Sequence, residues 1–182
     1  MKPFFSVFAV FCLVASLSLG SVARADSVVN VDAARMAQIA KLVFLGTLTA
    51  KKADTVKDVP VTTYTFKVKE VAKGKIEGSE FTYSQANFKG MPSYKVGQTD
   101  LVYLTDPSPS GLRSTVGLGQ GQFSVIKGMA VNERNNRGLF KNMPQTEGVS
   151  KAMRAGGFSS EKDPGPVEAS SLMKMVKELN VK

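Results

Sequence analysis

The chain has 182 residues and a formal net charge of +9, with 24 Lys and Arg against 15 Asp and Glu. It contains no histidine and a single cysteine, Cys12. Without histidine, the Ser-His-Asp and Cys-His nucleophile systems, imidazole acid–base chemistry and His-built zinc sites are excluded. A catalyst made from this chain would have to work with carboxylates, lysine, serine or tyrosine.

In chain order, the first element is an expected secretory signal peptide, residues 1–25. Lys2 supplies a small positive region, and Phe4 to Leu19 is almost wholly apolar. Ala23-Arg24-Ala25 then has the small-x-small pattern of a signal-peptidase site. Cleavage is expected between Ala25 and Asp26, which makes the product periplasmic or secreted. The apolar run is short against the roughly 20 residues of a membrane span, so no stable span is expected after cleavage. The exported part, 26–182, has 157 residues, enough for one domain with its own core. Cys12 leaves with the signal, so this domain must stand without disulfides. Its net charge is +7, the total of +9 less Lys2 and Arg24. Such a surplus suits anionic partners or plain solubility, and no block of five like charges marks a basic tail.

"DAARMAQIA", Asp32 to Ala40, reads as a short helix capped by Asp32, with Met36, Ile39 and Ala40 on one face. "KLVFLGTLTA" is too continuously apolar for a half-exposed strand; it reads as a buried strand in which Gly46 marks a bend or bulge. A polar loop with Asp54, Asp58 and Pro60 follows. The two aspartates could at most hold calcium weakly, because the EF-hand ligand pattern is absent, and no metal or cofactor is expected.

"VTTYTFKVKEV" alternates most clearly: Tyr64, Phe66 and Val68 point one way, Thr63, Thr65, Lys67 and Lys69 the other. "AKGKIEGSE" is a turn and "EFTYS" a third strand. Gln85 to Thr99 reads as a glycine- and proline-punctuated loop, and "DLVYLTD" as a fourth, central strand. "DPSPSG" is a surface turn, and Arg113 to Val116 and Gln122 to Ile126 are the last strands.

Between them lies "STVGLGQGQFSV", with Gly117, Gly119 and Gly121 at alternate positions. A phosphate loop would need a helix N-terminus after the glycines; a strand pattern follows instead, and no Lys-Ser or Lys-Thr pair is present. These glycines are read as a sharp backbone corner. Three S-x-x-K pairs, Ser124/Lys127, Ser159/Lys162 and Ser171/Lys174, lack the companion motifs of a Ser/Lys hydrolase. Residues 128–166 look loop-rich, with "SSEKDPGP" a connector. The chain closes in an amphipathic helix, 167–181, on which Leu172, Met175, Val176 and Leu179 repeat at helical spacing.

The expected architecture is therefore mainly β: a small antiparallel OB-like barrel, core 32–127, with a short N-terminal helix and a C-terminal amphipathic helix. The basic strand face of Lys67 and Lys69, with Lys73 and Lys75 beyond, is the candidate polyanion site. It lacks stacking aromatics, since Tyr64 and Phe66 point the opposite way.

The succession "KLVFLGTLTA", "TYTFKVKEVAKGK", "YKVGQTDLVYL" and "VGLGQGQFSV" resembles a family of uncharacterised exported bacterial proteins. Their OB-like barrel is similar to the netrin-like domain of tissue inhibitors of metalloproteases. The residues carrying the resemblance are Phe44, Gly46, Phe66, Val68, Val71, Lys73, Gly74, Val96, Gly97, Leu101, Val102, Gly117, Gln120, Gly121 and Phe123. They span Asp32 to Val125 and mark fold positions. Tissue inhibitors act through an N-terminal cysteine, which the exported chain lacks, so that chemistry does not carry over. The expected role is a non-enzymatic exported binding module for a protein partner, with contacts on loops Gln85 to Thr99 and Asn132 to Gly157. The alternative is electrostatic binding of nucleic acid or acidic glycan, and the remote one a histidine-free hydrolase.

Overall fold

The structure is a computed structural model that describes residues 29–141 and 165–180. The expected signal peptide, residues 142–164 of the loop-rich segment, the pair Ser159/Lys162 and the end of the last helix at 181 lie outside the described residues. The elements are α1 (Ala33–Ile39), β1 (Leu42–Val56), β2 (Val59–Lys73), β3 (Glu80–Ala86), β4 (Thr99–Leu104), a 3₁₀ turn (Leu118–Gly121), β5 (Gln122–Ile126), β6 (Met129–Asn132), β7 (Val167–Glu168) and α2 (Ala169–Asn180). The strands form one antiparallel sheet in the order β3-β2-β1-β4-β5-β6-β7. None of the described helices is long and apolar enough to cross a membrane.

This is the β-rich chain with terminal helices that the sequence implies, but its ladder is open rather than closed into a barrel. Among the described residues, β3 and β7 are the two ends of the sheet and do not pair with each other. The Arg113–Val116 strand is reduced to one bridge, Thr115 to Leu104. That segment nevertheless links β4 to the β3 edge: the Val116 N–H donates to Tyr103 C=O of β4 at 2.9 Å, and the Arg113 N–H to Ser84 C=O of β3 at 2.9 Å. A single backbone hydrogen bond thus stands where a barrel would have a ladder.

Both faces of β1 are covered, which explains its unbroken apolar run. Val43 and Leu45 face a cluster built with Met36 of α1, Leu101, Tyr103 and Phe123 of the sheet, and Leu172, Met173 and Val176 of α2. Leu42, Phe44 and Leu48 face an aromatic cluster of Phe66, Tyr64, Tyr83 and Tyr94. Phe44 and Phe66 meet edge to face, 5.3 Å apart at 78°, as do Phe66 and Tyr94, 5.3 Å apart at 87°, while Phe66 and Tyr83 stack at 6.2 Å. Edge-to-face geometry sets the negative ring face against the positive ring edge. The register shift between Leu45 and Gly46 is the expected bulge, and further shifts between Val43 and Phe44 and between Leu48 and Ala50 add to the coiling of β1.

Several expectations change at the edges of elements. Asp32 caps α1, its carboxylate accepting the Arg35 N–H at 2.8 Å, yet Ile39 is 37% exposed instead of buried with Met36. Its position lies on the outer side of a helix only seven residues long. The expected Asp54–Pro60 loop is an exposed hairpin arm: β1 runs on to Val56, Pro60 pairs with Thr55, and the turn is only Lys57-Asp58, both at positive φ. Proline is tolerated there because no further strand pairs with that end of β2. Strand β6 lies in the stretch read as loop-rich, and β7 takes the first two residues of the expected 167–181 helix, so α2 starts at Ala169. The glycine stretch turns at Gly117 and Leu118, both with φ near 60°, into the 3₁₀ turn. A Cβ on Gly121 would lie 2.5 Å from the Val116 carbonyl oxygen, so only glycine permits this corner.

Candidate functional site

Two surfaces carry chemistry: the loop between β3 and β4, residues 87–98, and the outer face of the sheet. The loop is irregular but firmly held. Tyr94 is fully buried in the aromatic cluster, and the Tyr83 hydroxyl donates to its hydroxyl at 2.8 Å. Gln85 donates to the Pro92 carbonyl at 3.1 Å, and the Gly119 N–H donates to the Gly90 carbonyl at 3.1 Å. At the far end the Gly97 N–H donates to Leu48 C=O at 2.8 Å, while the Leu48 N–H donates to Gln98 C=O at 2.9 Å. Gly97 takes φ +84°, which a residue with a side chain adopts only under strain. On this held backbone Phe88 is 65% exposed and Val96 58% exposed, beside exposed Lys89 and Lys95.

Behind the Val96 turn lies a buried polar cluster. Asp100 sits on the aromatic side of β4 and is wholly buried. Its Oδ1 accepts from Gln98 Nε2 and from Gln122 Nε2, each at 2.9 Å, and Gln98 Nε2 also reaches Ser124 Oγ at 2.6 Å. Oδ2 has no hydrogen-bond partner among the described residues. Burial pushes the Asp100 carboxyl up to about 6, against the pull of the Gln122 and Gln98 amides and the Ser124 hydroxyl. Tyr83 and Tyr94 are also pushed up by burial and stay neutral.

The outer face collects hydroxyls by register. Thr99, Thr47, Lys67 and Glu80 form one cross-strand row, Thr65 and Thr82 a second, and Lys52, Thr63 and Ser84 a third. The hydroxyls pair: Thr47 with Thr99 at 2.8 Å, Thr63 with Ser84 at 2.7 Å, Thr65 with Thr82 at 3.0 Å. Lys69 Nζ donates to Thr99 Oγ1 at 2.9 Å, which places it over the same face.

The four lysines named from sequence are therefore divided. Lys67 and Lys69 share the outer face, with Lys52 added by the β1–β2 register. Lys73 Nζ donates to the Ala37 carbonyl at 2.7 Å and so caps the C-terminal end of α1; burial, then the charge of Lys41, push it down. Lys75 pairs with Glu77 at 3.3 Å, with both side chains exposed. The Ser–Lys pairs within the described residues are also dispersed: Ser124 serves the Asp100 cluster, Ser171 bonds Glu168 at 3.2 Å and Lys174 lies 3.9 Å from Glu178. Among the described residues no three Asp, Glu, Cys or His side chains gather to hold a metal. Gln120 is a clamp: it accepts from the Val31 N–H at 3.0 Å and donates to the Val29 and Gly117 carbonyls, tying the start of the described chain to the glycine corner.

Sequence reasoning passed over Phe88 and Asp100 as individual residues. Asp100 had a readable sign, a carboxylate opening the apolar run "DLVYL"; Phe88 had none, because one phenylalanine in a loop is as consistent with burial as with exposure. In comparison with known proteins, the chain matches no family model and no curated sequence, so these roles are read from geometry alone.

Proposed function

We propose that this is an exported, non-enzymatic binding module whose 87–98 loop docks a protein partner. One observation carries the reading: Phe88 and Val96 are exposed on a loop whose backbone is tied to the sheet at both ends and anchored by Tyr94. An aromatic anchor on a preorganised backbone binds without a large ordering cost, which is how interface hot spots arise. The same reading takes the fold as an OB-like, netrin-like barrel left open at the β3 edge. Its supports are the coiled, bulged β1 and the Arg113–Val116 segment that bonds to both β4 and β3.

The test is capture with tagged chain 26–182 from periplasmic and secreted extracts, washed at low and then high salt. A stoichiometric protein that survives high salt and is lost with Phe88→Ala, by about tenfold or more in Kd, supports the module. Capture unaffected by Phe88→Ala and Val96→Asp overturns the assignment of the loop.

A second reading has its own observation, the gathering of Lys52, Lys67 and Lys69 on a hydroxyl-rich face. It is the electrostatic binding of an anionic polymer, nucleic acid or acidic glycan. Binding of either should weaken steeply with salt, and Lys67→Glu with Lys69→Glu should flatten that slope. An unchanged slope dismisses this face.

A further inference from the structure

The loop is held at its β4 end through one side chain, Gln98, whose amide joins the buried carboxylate of Asp100 on β4 to the hydroxyl of Ser124 on β5. The backbone of Gln98 in turn bonds Lys95 within the turn and Leu48 on β1. We infer that proton exchange at Asp100 regulates how firmly the Lys95–Gln98 turn, and with it Val96, is held on the sheet. This rests on the reading of the loop as the partner surface and assigns its regulation.

The physical basis is desolvation. A carboxylate buried with one oxygen unpartnered among the described residues is favoured in its neutral form, and the charged form gains when water reaches it. The groups facing Asp100 do not compensate its charge. β5 contributes Gln122 and Ser124, the loop Gln98 and Tyr94, β3 Tyr83, and β1 only Gly46 at the paired position. Lys67 and Lys69 lie on the other face, and Lys51 of β1, on the loop side, spends its ammonium on the Tyr94 carbonyl at 3.4 Å. With Asp100 protonated the cluster is neutral and the turn stays closed. With Asp100 ionised, lifting the turn exposes the carboxylate to solvent, so the open state gains population as pH rises. The group's folded value near 6 against its ordinary 3.8 sets the window between about pH 4 and pH 7.

Amide hydrogen exchange on the full exported chain, corrected for intrinsic rates, tests this at Leu48 and Gly97, whose N–H groups close the turn. Protection there should fall by up to roughly 100-fold from pH 4 to pH 7.5, and Asp100→Asn should remove that dependence while keeping an acceptor for both amides. Equal pH dependence in the variant, or none in the parent chain, overturns the proposal. Should Asp100→Asn fail to fold, carbon-13 titration of the Asp100 carboxyl in the parent chain decides: a midpoint near 6 supports the proposal, and one below about 4.5 overturns it. Neither measurement needs the partner. Failure of the switch would leave the docking loop standing, and failure of Phe88→Ala to affect capture would leave the switch standing.

Discussion

The apolar clusters on the two faces of the sheet are closed by different means. Helices α1 and α2 cover one, and the 87–98 loop with Tyr94 covers the other. A helix satisfies its own backbone groups and can offer a purely apolar stripe. A loop cannot, so the sheet must supply partners for its N–H and C=O groups. Here these come from Gln85, Gly119 and Leu48, and the same side of the molecule accumulates Asp100, Gln98, Gln122 and the Tyr83–Tyr94 pair. Closure by a loop has brought a titratable carboxyl, Asp100, into the core, whereas the helix-covered cluster is built of apolar side chains and Tyr103.

The largest expected effect breaks the loop-covered face. Tyr94→Ala removes the anchor ring and its hydroxyl, and should cost about 3–5 kcal/mol in urea unfolding. Loss of less than about 1 kcal/mol would mean that the loop is held by its backbone bonds alone. Next comes pH. The folded carboxyl of Asp100 is raised above its unfolded value, so its stabilising contribution is complete below about pH 4 and is lost as pH rises through about 6. Relative to Asp100→Asn, the parent chain should lose up to about 3 kcal/mol between pH 4 and pH 7. A constant difference between the two chains over that range would refute the assignment.

On the helix-covered face the expected change is smaller and of opposite sign. Tyr103→Phe deletes a buried hydroxyl without a partner among the described residues and should stabilise the protein by about 1 kcal/mol, equally at pH 4 and pH 7. Destabilisation would show that the hydroxyl is bonded after all. The smallest effect belongs to the exposed arm, outside both faces. Its turn holds Lys57 and Asp58 at positive φ, a conformation suited to Asn-Gly. Lys57→Asn with Asp58→Gly should add about 0.5 kcal/mol and leave both the pH term and partner capture unchanged.

Periodicity and spacing carried much of this fold. Alternation in "VTTYTFKVKEV" placed Tyr64 and Phe66 inside and Lys67 and Lys69 outside, and helical spacing placed Leu172, Met175 and Val176 on the buried side of α2. Asp32 and Gly46 were readable because a cap and a bulge are local events. The hairpin arm was misread because polar residues around Asp54 and Pro60 look the same in a loop and in an exposed two-stranded ribbon.

What the sequence by itself determined was therefore the main strands β1 to β5, the two helices and the side of most of them that is buried, since these depend on residues a few positions apart. The tertiary structure alone decided that the ladder stays open, that Lys73 caps a helix while Lys52 joins the outer face, and that Asp100 is buried between Gln98 and Gln122. Each of these depends on register and on contacts between segments distant in the chain, and a shift of one residue in pairing would reverse every one of those side chains.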